Sequence, residues 1–231
     1  MAAVRSVLVL VGLGLACACY GADNELGWTL DSALRQIDRQ AGDFSTALAD
    51  VEVLRQTEDG KGNKESSGRV YVNKQGAIRF DVKNPEERTI LAVKNKVHVY
   101  DPVRALVELY SSKKDKARLE PLVRIGFTST GKDLKKDYLV TLLGEDKIRG
   151  RRVVGLELTP KKESSREHVA RVRVWIDQAS WMPLEQEISQ VEGGASLKIS
   201  YTDMARNLKL NDELFRPRWP KGTETIKRKP Q

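Results

Sequence analysis

The sequence predicts a mainly β protein of the α+β kind: roughly ten strands in antiparallel order, one N-terminal helix and a short helical insert near the centre. Three observations carry this. Residues 68–100 hold four short runs in a row with apolar side chains at every second position. The same alternation resumes after residue 138. Between them, residues 113–125 and the surroundings of Leu134 switch to helical spacing. A sheet of that many strands curls strongly or partly closes, and the helices then lie against its concave face.

The elements follow in chain order. Residues 28–42 read as an amphipathic helix, with Trp28, Leu30, Leu34, Ile37 and Ala41 on one face, Asp31, Arg35, Asp38 and Arg39 on the other, and Gly42 as the stop. Residues 44–57 are extended and contain Val51 and Val53. A polar, glycine-rich turn over residues 58–64 leads into the four-strand stretch. There Val70 and Val72 alternate with Arg69 and Tyr71, and Ile78, Phe80 and Val82 alternate with Arg79 and Asp81. Beyond Asn84-Pro85-Glu86-Glu87 come Leu91 and Val93, then Val97 and Val99. These nine apolar residues are expected to share one face, which something must cover: a helix, a second sheet or a ligand.

The middle breaks the rhythm. In residues 113–125 the apolar Leu119, Leu122, Val123 and Ile125 oppose Lys113, Lys114, Lys116 and Arg118, so the stretch can act as a cover. Strands return at residues 138–143, 152–159, 169–176, 182–191 and 195–201, the last two joined by the hairpin signal Gly193-Gly194. Residues 203–231 read as irregular and proline-rich.

The first residues are expected to lie outside the fold. Arg5 is the sole charge before Asp23, residues 7–15 form a short apolar core, and small residues follow; this is the layout of a secretory signal over residues 1–18. A cut after Ala18 leaves Cys19 first, and a cut after Gly21 removes both cysteines. A lipid anchor on Cys19 is a third reading, but the preceding Ala16 and Cys17 match a lipobox poorly. Residues 23–231 form one domain without an internal disulfide. Lys and Arg number 40 against 32 acids, a net charge of +8. The basic residues are mixed with acids almost everywhere, which together with export argues against nucleic acid.

A search for chemistry finds little. The two histidines, His98 and His168, show no metal-ligand spacing and stand in no nucleophile turn, and His98 reads as an outward strand residue. Glu86, Glu87, Asp101 and Glu108 lie close in sequence, as charges at loops and sheet edges commonly do. No catalytic set, metal or cofactor is expected, and the protein is read as a non-enzyme.

Three blocks then resemble a known family, the periplasmic outer-membrane lipoprotein carriers of LolA type. One is Gly68-Arg69-Val70-Tyr71-Val72-Asn73-Lys74 with Ile78-Arg79-Phe80-Asp81. The second is Asn84-Pro85-Glu86-Glu87-Arg88-Thr89-Ile90-Leu91 with Val97-His98-Val99-Tyr100-Asp101-Pro102. The third is Asp212-Glu213-Leu214-Phe215-Arg216-Pro217 with Pro220-Lys221-Gly222. The resemblance implies an incomplete, strongly curved antiparallel barrel with helices as a lid. Its apolar interior would take the acyl chains of a lipoprotein, lined by Val70, Val72, Ile78, Phe80, Val82, Leu91, Val93, Val97 and Val99 and covered by Leu119, Leu122 and Ile125. It also implies a monomeric periplasmic carrier that receives acylated cargo from an inner-membrane ATP-driven releasing complex and passes it to an outer-membrane receptor. The family usually has a basic residue followed by proline after Val72, and the basic residue helps hold the lid closed; here Lys74 takes that place and Gln75 replaces the proline. Other readings on the same scaffold are a lipid-anchored receptor, a binding module for another lipid and an envelope sensor. The receptor requires an exposed apolar loop where residues 58–67 are polar or glycine throughout.

Overall fold

The computed structural model describes residues 27–57, 61–110, 125–191 and 194–228. The expected signal, both cysteines, Leu119, Leu122 and Gly193 lie outside these. Helix α1 (Leu30–Gly42) is followed by strands β1 (Thr46–Gln56), β2 (Lys64–Asn73), β3 (Ile78–Asn84), β4 (Arg88–Val93), β5 (Lys96–Asp101) and β6 (Leu106–Tyr110). Helix α2 (Gly131–Asp137) leads to β7 (Tyr138–Ile148) and β8 (Arg151–Pro160). The short helix α3 (Glu163–Arg166) precedes β9 (Val169–Asp177), β10 (Pro183–Gln190) and β11 (Ser196–Arg206). A 3-10 turn (Asp212–Phe215) and β12 (Glu224–Lys227) follow.

The twelve strands among the described residues form one open, curled sheet in the order β12-β6-β5-β4-β3-β2-β1-β11-β10-β9-β8-β7. Every pairing is antiparallel except the parallel addition of β12 to β6. Strand β1 sits between β2 and β11, so residues more than a hundred positions apart pair at the sheet's centre. The C-terminal region is thus partly ordered strand, where the sequence suggested irregular chain. Its four-residue strand is too short to show alternation.

Local chemistry sets the element ends. Thr29 caps α1 in a capping box with Ser32, which starts the helix at Leu30 rather than at Trp28. Thr130 and Asp133 cap α2 in the same way. The two helices meet closely: the amide of Gly131 donates to Asp38 Oδ1 at 2.8 Å, and a Cβ on Gly131 would stand 2.9 Å from the Leu34 carbonyl oxygen. Gly68 is needed for a different close approach. It lies at an irregularity in the β2–β3 pairing, where a Cβ would come within 2.0 Å of the Asp81 carbonyl oxygen.

The main core lies on the inner face, the one that carries the helices. Leu34 and Ile37 of α1, Leu134 of α2, and Ile125 and Phe127 bury against Leu156, Val174, Ile176 and Ile188 of β8–β10. Outside these strands the surface is charged, with Arg173 to Glu157 at 2.8 Å and Lys198 to Glu185 at 3.2 Å. The β3–β5 half is covered on its outer face by the C-terminal segment. Arg79 Nη1 donates to the Leu214 carbonyl at 3.4 Å, Phe215 is buried, and the Trp219 ring stacks on Tyr100 at 4.9 Å.

Candidate functional site

Among the described residues, no helix packs on the inner face of β2–β4 as α1 and α2 pack over β8–β10. A hollow of about 270 Å³ remains where β1, β2, β3, β4 and β11 curve together. Cross-strand pairs build its wall. Ile78 stands opposite Ala92 and Phe80 opposite Ile90, Val70 is the partner of Phe80, and Val51 and Val53 face Tyr201 and Ile199. Leu197 and Ser66 complete the lining. Among the described residues that line it, the hydroxyls of Ser66 and Tyr201 are the only polar side-chain groups, and no side chain carries a charge. Such a surface attracts an apolar ligand, and each methylene it takes from water is worth about 0.8 kcal/mol.

The structure brings together some of the sequence-predicted site residues and separates others. Val70, Ile78 and Phe80 line the hollow. Val72, Val82, Val97 and Val99 share the same inner face without lining it; Val72 is instead part of the helix-covered core. Leu91 and Val93 are corrected: Leu91 pairs with Arg79 and His98, and Val93 with Lys96, which puts both on the outer face. Leu91 is 0 % exposed there, on the face that the C-terminal segment covers. The inward residues of β4 are Ile90 and Ala92. Four consecutive apolar residues, Ile90 to Val93, carry no period, so only the pairing register could assign the face. The contributions of Val51, Val53, Leu197, Ile199 and Tyr201 were missed because they depend on the distant pairing of β1 with β11. Their period-two alternation was the available signal.

The predicted cover is also revised where it is described. Ile125 lies in a turn, not a helix, and is buried in the main core. Lys74 is exposed in the β2–β3 turn, which Gly76 at φ 75° allows and Asn73 Oδ1 closes by accepting from the Ala77 amide at 2.9 Å. Among the described residues it has no ion pair.

Several charged groups elsewhere form structural pairs. Arg88 reaches Glu86 at 2.6 Å and Asp101 at 3.4 Å, and Glu108 pairs with Arg228 and accepts from the Tyr110 hydroxyl at 2.8 Å. These contacts account for three of the four acids that the sequence set close together. Burial would push the Asp177 carboxyl up, but hydrogen bonds from Ser180 and the paired Arg151 guanidinium outweigh it and hold the group below the usual carboxylate range. His98 points outward but is buried near Trp219, with ring centroids 6.0 Å apart. Desolvation, with Lys96 adding to it, pushes its pKa down. Burial pushes the Tyr201 phenol up. Among the described residues, no group of three His, Cys, Asp or Glu is placed to hold a metal ion.

Comparison with known proteins agrees with this architecture. The family model described as outer membrane lipoprotein carrier protein LolA matches residues 51–218. The outer-membrane lipoprotein carrier proteins of Legionella pneumophila strains Corby and Paris are each 25 % identical over 164 residues, covering 70 % of this chain and 74 % of theirs. A crystal structure of an uncharacterized conserved protein from Thermus thermophilus superposes with a TM-score of 0.54 at 14 % identity, over 86 % of this chain and 98 % of that one. A LolA superfamily protein from Nitrosomonas europaea gives a TM-score of 0.42 at 17 % identity, over 82 % and 98 %. The family match runs from the strand that floors the hollow, through the sheet, to the segment that backs it from outside. This chain belongs to the LolA family of outer membrane lipoprotein carrier proteins.

Proposed function

We propose that the protein is a periplasmic carrier that shields lipoprotein acyl chains in the inner-face hollow and moves them from the inner to the outer membrane. The supporting observation is the hollow itself: about 270 Å³, apolar, uncharged and left over by a sheet whose other half is filled. Acyl chains do not cross water unshielded, because each exposed methylene costs about 0.8 kcal/mol. An inner-membrane ATP-driven releasing complex as donor and an outer-membrane receptor as acceptor complete the reading, in keeping with the family.

Phe80 provides the test, because it lines the hollow and is only partly buried. Native mass spectrometry of wild-type protein from the envelope fraction should show releasable acylated polypeptide, and Phe80→Asp should show none. A folded Phe80→Asp that retains cargo contradicts the reading. Bound lipid without polypeptide points to a lipid-binding protein of another kind, and a diacylglyceryl mass on Cys19 to a lipid-anchored receptor.

A further inference from the structure

One wall of the hollow is an aromatic ring backed by a second. Tyr201 lines it from β11. The Tyr201 ring meets Phe127 edge-on, with centroids 5.5 Å apart and planes at 73°. Phe127 in turn borders a second space of only about 20 Å³, which Ile37, Phe44, Ile176 and Met182 enclose. The two touching rings therefore stand between the larger hollow and the smaller one.

This wall is pinned from behind. The Tyr201 hydroxyl donates to Gln186 Oε1 at 3.0 Å, and Gln186 Nε2 donates to the Ile125 carbonyl at 2.6 Å, two residues before Phe127. Gln186 is 0 % exposed in an otherwise apolar core. A buried amide that breaks either bond leaves a polar group unsatisfied, so it fixes the ring and the 125–127 backbone together. Gly126, at φ 86°, packs so closely on Pro183 that a Cβ would lie 2.9 Å from the ring's Cγ, which braces the same backbone against β10.

We infer that Tyr201 and Phe127, held in place by Gln186, form the end wall that sets how long an acyl chain the hollow accepts. The inference rests on the acyl-binding reading above and adds its chain-length specificity. A chain that fits inside the hollow gains with every methylene; one that is longer meets the rings and leaves its remainder in water. Gln186 is a positioning residue here, and Tyr201 and Phe127 determine specificity by their bulk.

The test uses the purified full-length protein and saturated fatty acids from decanoate to stearate, ranked by native mass spectrometry in competition. For the wild type, affinity should rise about fourfold per methylene up to a limiting length and then level off. Phe127→Leu and Tyr201→Leu trim the wall from opposite sides, and thermal melts establish that each is folded. Either folded variant should move the limit to a longer acid, with a gain of about fifteenfold for the acid two methylenes beyond the wild-type limit. Tyr201→Phe keeps the ring's bulk but removes its tie to Gln186, so it should soften the levelling-off without moving the limit to a longer acid. An unchanged limit in a folded Leu variant overturns the inference, as does an equal shift in Tyr201→Phe. Wild-type protein that binds none of the acids refutes the acyl-binding reading itself, a result distinct from binding with an unmoved limit.

Discussion

Strands β8–β10 carry helices on their inner face and bare salt bridges on their outer face, whereas β3 and β4 help line the hollow on the inside and β3–β5 carry the C-terminal segment on the outside. In one half apolar burial comes from within, through Leu156, Val174 and Ile176 against α1 and the 125–127 turn. In the other it comes largely from without, through Leu91, Val107 and Phe215, all buried. A sheet that reserves one face for a ligand must find its folding energy elsewhere, and here the reverse side supplies it.

This contrast can be broken most sharply at Gly68. Gly68→Val places a side chain where the Asp81 carbonyl oxygen already stands, so β2 and β3 must separate. The expected loss is about 3 kcal/mol or more, read as a lowered urea midpoint or failure to fold. Leu156→Ala and Ile90→Ala then sharpen the difference between halves. Leu156, fully buried in the filled half, should cost about 2–5 kcal/mol in urea unfolding while acyl affinity per folded molecule stays constant. Ile90 lines the hollow, and its truncation should cost within about 1 kcal/mol of stability but weaken acyl binding about tenfold or more. Equal effects of the two substitutions on binding would erase the distinction. Trp219→Ala removes outer cover from Tyr100 and His98 and should cost about 1–2 kcal/mol, measured by thermal unfolding.

The smallest effect concerns pH. His98 is held neutral by burial, with its folded pKa below the ordinary 6.5. Its unfolded form binds the proton more readily, so stability is full above pH 6.5 and falls as pH drops from there through the folded pKa. Denaturant midpoints followed between about pH 8 and 5 should show this decline. His98→Gln should flatten it, and an unaltered slope in that variant would move the cause to other groups.

The alternating strands and the N-terminal helix were legible because each carries its own period. Val70, Ile78 and Phe80 line the hollow, and their polar neighbours in sequence fix their faces. The faces of Leu91 and Val93 were not legible, because Ile90 to Val93 is apolar on both sides: one side faces the hollow, the other the C-terminal cover. That second burial is invisible locally, as it depends on Trp219 returning over Tyr100 from more than a hundred residues away. Tyr201 was hidden for a related reason. Its role follows from the pairing of β1 with β11 and from Gln186, a glutamine that reads in sequence as an ordinary polar residue of a strand.

The addition of β12 to β6 has a consequence for biogenesis. The residues that back β3–β5 and close the β6 edge are made after every strand they cover. Until they arrive, Leu91, His98 and Tyr100 present an uncovered surface on strands synthesised long before, while β1 also waits for β11. Assembly of the hollow half is thereby deferred until the rest of the sheet has been made, which leaves its strands open to other contacts in the meantime. A chain cut before Asp212 would thus be arrested at that stage, aggregation-prone along an edge that β12 otherwise covers.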